Sequence, residues 1–339
     1  MKINKLFEQL IAGHHLSRTQ MHRVIKNCMT GALSDVQIAA FLALMRMKGE
    51  TIEELSAAAM VMRQLAHTID LGSSLIDIVG TGGDGKNTFN VSTVSSFVAA
   101  AAGLHVAKHG SRSVSSRSGS ADLLLTAGFT LNLSDEALRY CMQQCHIAFL
   151  FGPHFHQAMQ HARLARQQLG IRTLFNLLGP LLNPAGVKKQ VVGVFAHHWL
   201  QPIAHVLANL GSERALVINS HDGLDEISIA ACTDVIEYHE GQFKHWTIDP
   251  RDYHCFHANL DAIVVETPEQ SLALTESVFA GQRGPARDIV LLNTAAALYC
   301  AGECTHFADA VEKSAAAIDT GRAGQRFIQL RDLTRTYNP

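Results

Sequence analysis

The feature that most constrains the fold is an alternation of strand, loop, helix and strand in the first half of the chain. The apolar run LIDIV (75–79) is typical of a buried strand, and the glycine-rich loop GTGGDG (80–85) follows it directly. Small residues over 92–102 predict a helix, and LHVA (104–107) predicts the next strand. Two strands joined through a helix form a βαβ unit, so this segment predicts a parallel sheet.

An insertion over 156–170 predicts a helix that Gly170 ends, and the α/β pattern returns after it. VVGVFA (191–196) and ALVIN (215–219) predict strands on either side of a helix over 198–210. A hairpin is predicted around residues 240–241, and the last 70 residues predict mostly helix. We therefore expect a central, mainly parallel sheet flanked by helices.

The first 70 residues predict helices alone. A hydroxyl residue followed three positions later by Gln or Glu marks three helix starts, because the two side chains satisfy backbone N–H groups that a helix leaves free. The fold class is therefore α/β, with a small all-helical domain plus a larger α/β domain. The capping pairs are Ser17 with Gln20, Ser34 with Gln37 and Thr51 with Glu54, and the matching stops are Gly13, Gly31 and Gly49.

Composition excludes several classes of protein. The 339 residues carry a formal net charge of -2, so bulk charge favours neither nucleic acid nor an anionic membrane as partner. The longest mainly apolar stretch, 97–107, falls short of the roughly 20 residues that a membrane span requires. The N-terminus lacks the apolar core of a signal peptide, and seven scattered cysteines are typical of reduced thiols. We expect a cytoplasmic protein.

Cysteine and histidine do not form a recognisable metal motif. Two cysteine pairs have helical spacing but lack the partners that structural zinc needs. His154 and His156 have a ligand-like spacing, yet no HExxH motif or completing carboxylate accompanies them. We expect the 19 histidines to be satisfied surface and interface side chains. The cysteine pairs are Cys141 with Cys145 and Cys300 with Cys304.

The glycine loop predicts an anion site in preference to a dinucleotide site. A dinucleotide fingerprint needs a carboxylate about 20 residues beyond the glycines, and no Asp or Glu occurs between Asp84 and Asp122. Glycines let backbone N–H groups approach a ligand, and the helix that Ser92 is expected to cap would add its free N–H groups and dipole. A plain glycine-rich turn remains the alternative. The interval holds the cations Lys86, Lys108, Arg112 and Arg117.

A second donor-rich loop, KHGSRSVSSRSGSADLL (108–124), follows the second strand. It leaves the sheet at the same carboxyl edge as the first loop, which is the edge where open α/β sheets bind ligands. An exposed Ser/Arg linker is the alternative, although this loop runs straight into an apolar helix. We expect the two loops to face one crevice.

Four ordered segments resemble the anthranilate phosphoribosyltransferase family, and the similarity extends through nearly the whole chain. The resemblance implies transfer of phosphoribose from phosphoribosyl pyrophosphate (PRPP) to the amine of anthranilate, an early step of tryptophan biosynthesis, through an oxocarbenium-like transition state. It also implies Mg²⁺, expected as two ions with PRPP, and a homodimer formed through the N-terminal helices. The segments are GTGGDGKNTFNVST (80–93), KHGSRSVSSRSGSADLL (108–124), GIRTLFNLLGPLLNP (170–184) and DGLDEIS (222–228).

The same resemblance implies a domain division and a set of site residues. Residues 1–70, completed by the insertion 153–185, would form the helical domain, and 71–152 with 186–339 the larger one. Anthranilate would lie between them, held by Gly80, Ser111 and Arg166. Adjacent carboxylates suit Mg²⁺, so Asp225 and Glu226 are expected to bind it with Ser92, and Lys108 would stabilise the leaving pyrophosphate. PRPP would contact Gly80, Gly83, Asp84, Thr88, Asn90, Val91, Ser92, Thr93, Lys108, His109, Gly110, Ser111, Arg112, Ser113, Val114, Ser115, Ser116 and Ser120.

Three positions depart from the family pattern. Ser111 stands where the family usually has Asn, Arg117 where Lys is common, and Gln157 where Pro is usual. Ser111 puts the affinity for anthranilate in question. The alternatives are a nucleoside phosphorylase of the same fold, a non-catalytic nucleic-acid binder and a dinucleotide oxidoreductase. The first and fourth segments favour PRPP, the low net charge disfavours nucleic acid, and the missing ribose carboxylate disfavours a dinucleotide.

Overall fold

The computed structural model describes residues 3–112 and 117–337. Its first four helices include the three that the capping pairs predict. Each of the hydroxyl side chains accepts from the backbone N–H three residues on, and the Gln or Glu there reaches back, so all three capping boxes are confirmed. The helices are α1 (Ile3–Ile11), α2 (Arg18–Met29), α3 (Asp35–Lys48) and α4 (Ile52–Leu65).

Glu54, the glutamate of the third capping box, also belongs to a buried ion pair. Glu54 is fully buried, and its Oε2 lies 2.7 Å from Nζ of Lys48, whose side chain is 2% exposed. The Glu54 carboxylate also accepts the N–H groups of Leu16 (2.7 Å) and Thr51 (2.9 Å). One carboxylate therefore holds both the α1–α2 connection and the α3–α4 connection.

Replacing Glu54 by alanine should lower the free energy of unfolding by about 3–5 kcal/mol, because Lys48 would be left buried without its partner. Glu53→Ala, one position away on the exposed side of α4, is the matched control and should cost little. Urea denaturation of the two variants measures the difference. Equal losses in both would contradict the structural role of Glu54.

The large domain is built on one seven-stranded sheet in the order β3-β2-β1-β4-β5-β6-β7. The first five strands are parallel, and β6 and β7 are antiparallel neighbours, as the predicted βαβ unit and hairpin require. Successive strands are added to one side of β1 up to β3 and then to its other side from β4 onward. Open α/β sheets bind ligands at such a switch point, here between β1 and β4. The strands are β1 (Leu75–Gly80), β2 (His105–Gly110), β3 (Ile147–Phe151), β4 (Lys189–Gly193), β5 (Arg214–Ser220), β6 (Thr233–His239) and β7 (Gln242–Ile248).

Helices cover both faces of this sheet. Short 3-10 turns interrupt the connections between them, among them Gln157–Ala162 and Gly179–Leu181. Among the described residues, no helix has the length and apolar character needed to cross a membrane. The remaining helices are α5 (Val91–Ala101), α6 (Ser120–Thr126), α7 (Asp135–Cys145), α8 (Gly152–Phe155), α9 (Arg163–Leu169), α10 (Leu174–Leu178), α11 (Leu200–Asn209), α12 (Pro268–Phe279), α13 (Pro285–Ala301), α14 (Phe307–Asp319) and α15 (Arg322–Thr336).

Two hydrophobic cores lie on opposite faces of the sheet. Successive residues of β5 alternate between them: Leu216 and Ile218 pack with α5 and α13, whereas Ala215 and Val217 pack with α11 and the helical domain. This alternation follows from the two-residue period of a strand. The helical domain therefore shares its core with one face of the sheet.

Two local predictions were wrong in detail. The helix after the glycine loop begins at Val91, and Ser92 lies inside its first turn without capping it. The helix predicted over 156–170 begins as the 3-10 turn Gln157–Ala162 and becomes α-helical only at Arg163, although Gly170 ends it as predicted. Gln157, at the start of the 3-10 turn, is one of the departures from the family pattern.

Candidate active site

The two donor-rich loops meet at the carboxyl ends of β1 and β2. The Asn90 side chain donates to the Ser118 carbonyl (3.0 Å), and the Ser118 hydroxyl donates to Oδ1 of Asn90 (2.8 Å). Ser271, on α12, donates to the same oxygen (2.7 Å). The two loops therefore meet, as the prediction that they face one crevice requires. The Asn90 amide is itself engaged in joining them.

The backbone of the glycine loop offers donors for an anion. Gly82, Gly83 and Gly85 all have positive φ angles, between 64° and 78°, which only glycine adopts without strain. Within the described part of the chain, the N–H groups of Gly83, Asp84 and Gly85 donate to no protein acceptor. Three adjacent unpaired donors are what a phosphate group requires.

The opening of α5 is arranged differently from the prediction. The N–H of Val91 donates to Phe89 O (2.6 Å), that of Ser92 to Oε1 of Glu226 (2.9 Å) and that of Thr93 to Asn90 O (3.1 Å). These groups are therefore already bonded, and the expectation that they are free was wrong. The unpaired donors lie in the loop and not in the first turn of the helix.

Asp225 and Glu226 lie directly beneath the glycine loop. They follow β5 in a turn that Gly223, with a φ of 87°, makes possible. Oδ2 of Asp225 accepts the N–H of Gly82 at 2.7 Å. Gly80 and Gly193 are paired across β1 and β4, and a Cβ atom on either would overlap Asp225. The two glycines therefore make the space that this carboxylate occupies.

These carboxylates form a cluster of negative charge in which Asp225 is buried and Glu226 is half-buried. Burial and the neighbouring charge of Asp84 raise the pKa of Asp225 to about 7. Burial and the charges of Asp225 and Asp84 hold the pKa of Glu226 well above its ordinary value. Oε2 of Glu226 is buried and bonds to none of the described residues. Buried, mutually repelling carboxylate oxygens with an unused acceptor fit a hard cation such as Mg²⁺.

Lys108 lies inside the sheet beside this cluster. It is 3% exposed, and its Nζ donates to Ile78 O at 2.7 Å. Burial lowers its pKa, while the nearby charges of Asp77, Glu226 and Asp225 act in the opposite direction. The ammonium is thus a cation close to the carboxylates that are expected to bind metal.

Asp77 is a residue that the sequence reasoning missed. It is fully buried in β1 and accepts from Nδ2 of Asn183 (2.8 Å) and from the N–H of His109 (3.3 Å). Burial raises its pKa to about 6, against the opposing charge of Lys108. A carboxylate inside the otherwise apolar run LIDIV was the available signal, since a charge in a buried strand needs a partner.

Buried histidines lie beside the second loop. A Cβ atom on Gly152 would stand 3.5 Å from both the Ser111 side chain and Nε2 of His109. The His109 ring interacts with the Gly179 backbone and the His156 ring with the Leu182 backbone, and Nε2 of His109 has no further partner in the described ranges. Burial lowers the pKa of His109 to about 3 and that of His156 to about 4. Both rings are therefore neutral, and Nε2 of His109 is an unused polar atom.

Arg166 lies on α9 and contacts the Phe175 ring. Its guanidinium carbon lies 5.3 Å from the centre of the Phe175 ring, and burial lowers its pKa. Within 3–112 and 117–337 it makes no salt bridge and no hydrogen bond to either loop. A half-buried arginine without a carboxylate partner is available to a ligand.

The remaining predicted residues are distributed around the loops. Thr88 pairs with Val264, Val91 and Thr93 are buried, and Gly110 packs against Ser120 and the Phe149 ring. The Ser120 hydroxyl donates to Ser111 O (3.3 Å), Arg112 is exposed, and Arg117 pairs with Glu266. Ser113, Val114, Ser115 and Ser116 lie outside the described residues.

Known proteins resemble this chain over its full length. Residues 72–324 match the glycosyl transferase family, a/b domain, and residues 4–66 match its helical bundle domain. The chain is 68% identical over 338 residues to anthranilate phosphoribosyltransferase of Legionella pneumophila (strain Paris), which covers 100% of this chain and 98% of that protein.

Solved structures agree with the sequence relatives. The crystal structure of anthranilate phosphoribosyltransferase from Thermus thermophilus is 36% identical, with a TM-score of 0.90, covering 97% of this chain and 99% of that one. The enzyme from Saccharomyces cerevisiae in complex with PRPP and Mg is 27% identical, with a TM-score of 0.89 and 98% of both chains covered. The fold and both domain types are therefore shared throughout.

Proposed function

The chain belongs to the anthranilate phosphoribosyltransferase family, and from that premise we propose that it transfers phosphoribose from PRPP to the amine of anthranilate in tryptophan biosynthesis. The observation that carries the proposal is the meeting of three features at one edge of the sheet. Unpaired loop donors suit a diphosphate, the carboxylate cluster suits its metal, and a buried lysine lies near those carboxylates. A mere glycine-rich turn would need none of these.

PRPP is expected to occupy the space between the two loops. Backbone N–H groups of Gly83 and Asp84 would bind its phosphates, since charge-assisted hydrogen bonds contribute about 1.5–3 kcal/mol each. Val91 and Thr93 are buried, so their part is to shape the wall of the site. Lys108 would act electrostatically on the departing pyrophosphate after turning from Ile78 O.

Asp225 and Glu226, with the Ser92 hydroxyl, would hold Mg²⁺, the first of the two ions that we expect with PRPP. When bound, the cation neutralises the diphosphate and makes it a better leaving group. The protein provides carboxylates already fixed by Gly82 and Ser92 N–H groups, so little reorganisation is needed on binding.

Breaking the bond from ribose C1 to pyrophosphate builds positive charge on the sugar and negative charge on the leaving group. The loop N–H groups and Lys108 stabilise the negative charge. The anthranilate amine carries little proton at neutral pH and attacks C1 without a strong general base, so its orientation contributes much of the rate. Gly80 and Ser111 would border the acceptor, Arg166 would bind its carboxylate, and the neutral rings of His109 and His156 would line its pocket.

Arg166→Ala should raise the KM for anthranilate about 10-fold to 100-fold and leave the KM for PRPP nearly unchanged, because one charge-assisted contact to the carboxylate is lost. Arg163→Ala, one turn earlier on α9 and exposed, is the matched control. Steady-state kinetics with each substrate varied in turn measure the effect. An unchanged KM for anthranilate in Arg166→Ala would remove this residue from the acceptor site.

The reaction itself can be followed by anthranilate fluorescence. Purified protein should cause a loss of fluorescence that requires both PRPP and Mg²⁺ and releases one pyrophosphate for each anthranilate consumed. Omitting either PRPP or Mg²⁺ should stop the loss. Fluorescence that stays constant with all components present would refute the assignment.

The assembly and domain division remain proposals with structural support. Val36 and Met47 are 79% and 84% exposed and lie about three turns apart on one face of α3, which favours a homodimer through the helical domain. Light scattering of the wild type and of Val36→Asp/Met47→Asp tests this, with monomer expected only for the variant.

Residues 153–185 supply Ala162, Leu174 and others to the helical core, so we assign them to that domain. Seven free thiols support a cytoplasmic location.

A further inference from the structure

We propose that His67, Asp135 and His154 form a binding site for a divalent transition-metal ion of the zinc type, separate from the magnesium site. The three residues come from different parts of the chain: the segment after α4, the first turn of α7, and α8. The sequence showed His154 without a completing carboxylate. The fold supplies that carboxylate and a second imidazole.

The distances suit a single ion. Nε2 of His67 lies 2.9 Å from Oδ1 and 3.1 Å from Oδ2 of Asp135, and one ligand atom from each of the three residues lies within 4.8 Å of the others. Ligands about 2.0–2.1 Å from a tetrahedral zinc ion are about 3.4 Å apart. Small side-chain movements therefore bring all three into coordination. Two imidazoles and one carboxylate are a ligand set that zinc uses with water in the fourth position.

The surroundings of His154 favour a ligand over a simple surface side chain. Its Nδ1 lies 3.1 Å from Oδ1 of Asn132, and that oxygen can only accept, so the proton resides on Nδ1. In this tautomer the lone pair that can bind a metal is on Nε2. Such a hydrogen bond to the other ring nitrogen is the usual support of a histidine ligand. Arg139 is the one cation near Asp135 among the described residues; it lies 3.8 Å away, is 48% exposed, and its Nε donates to Asp70 O (3.2 Å).

The position of the cluster gives the ion a mechanical role. The His67 N–H donates to Phe155 O (2.9 Å), and the His67 ring stacks on that of Phe155 with centroids 5.6 Å apart. His67 is in the connection that leaves the helical domain, and His154 is at the start of the insertion that returns to it. An ion held by both would tie the two connections to α7 and restrain any movement between the domains.

A second histidine cluster on the molecule provides the control. His197 and His221 donate to the same oxygen of Asp234, at 3.1 and 3.0 Å, and His245 lies 3.6 Å from the other oxygen. In the described part of the chain, these atoms do not gather within 4.8 Å as the His67 set does. Removing His221 therefore removes an imidazole from a histidine and aspartate cluster without touching the proposed site.

The test is a titration of the full-length, chelator-treated protein with Co²⁺, followed by visible absorption, with Mg²⁺ in excess to occupy the carboxylates near the glycine loop. Wild type and His221→Asn should bind one equivalent with the spectrum of a nitrogen- and oxygen-ligated ion, and Zn²⁺ should displace it. His67→Asn and His154→Asn should lose that equivalent. Asn132→Leu should weaken it by about 10-fold to 100-fold, since it removes only the support of His154.

Two outcomes would overturn the proposal. The first is the absence of a tight equivalent in the wild type. The second is retention of that equivalent in His67→Asn and His154→Asn, which would locate the ion elsewhere. Circular dichroism of each metal-free variant confirms folding, and because the two substitutions lie in different segments, failure of one to fold leaves the other to decide.

Discussion

Replacing Asp225 by asparagine and Glu226 by glutamine together should abolish turnover and yet raise the melting temperature of the metal-free protein at mildly alkaline pH. Turnover should fall at least about 1000-fold, because metal binding contributes several kcal/mol to the transition state. The amide oxygens can still accept the N–H groups of Gly82 and Ser92, so the local backbone keeps its hydrogen bonds. What disappears is repulsion between buried negative charges.

The pH dependence of the wild type's stability explains why the double variant should be the more stable of the two. The pKa of Asp225 is about 7 in the folded protein against an ordinary 3.8, and that of Glu226 is also raised. Between the unfolded and folded pKa values the folded state binds more protons, so the stability of the wild type falls as pH rises through this window. The double variant lacks that loss. Above this pH window its free energy of unfolding should exceed that of the wild type by about 1–2 kcal/mol. Functional sites commonly carry such a cost in stability.

Thermal melts at several pH values, with chelator and then with Mg²⁺, measure both parts. Mg²⁺ should raise the melting temperature of the wild type and leave that of the double variant unchanged. Asp252→Asn, which changes an exposed carboxylate in the same way, should alter neither activity nor stability. Retained activity in the double variant would show that these carboxylates do not bind the essential metal.

Lys108→Met should lower turnover at least about 100-fold, since it removes the cation expected to stabilise the leaving pyrophosphate. It should also destabilise the fold by about 3 kcal/mol, because Asp77 would stay buried without a compensating charge. Activity and stability thus fall together in the single variant. Kinetics and urea denaturation measure the two losses.

The double variant Lys108→Met/Asp77→Asn separates these effects. Neutralising Asp77 removes the uncompensated charge and keeps one acceptor oxygen for Asn183 or His109. Most of the lost stability should return while turnover remains low. Recovery of turnover along with stability would mean that Lys108 only balances Asp77 and takes no part in the reaction.

Much of the fold follows from local sequence patterns. The three capping boxes, the βαβ unit and the hairpin around residues 240–241 are all where the sequence predicts them. Most of the proposed ligands in the two loops came from resemblance to a family, and the structure adds that Asn90 and Ser118 join those loops. The helix start at Val91 was misjudged because Ser92 is a good capping residue in isolation, whereas its N–H is taken by Glu226.

Sequence alone determined the features that depend on neighbouring residues: helix starts, turn glycines and the two-residue alternation of buried strands. These arise from backbone geometry and from side chains within one or two turns. Only the tertiary structure decided which charges and donors meet. Asp77 with Asn183, Ser92 with Glu226 and His67 with Asp135 are each joined across at least 68 positions. Such contacts depend on the packing of whole elements, because electrostatic and hydrogen-bond energies depend on distance in space and not on separation along the chain.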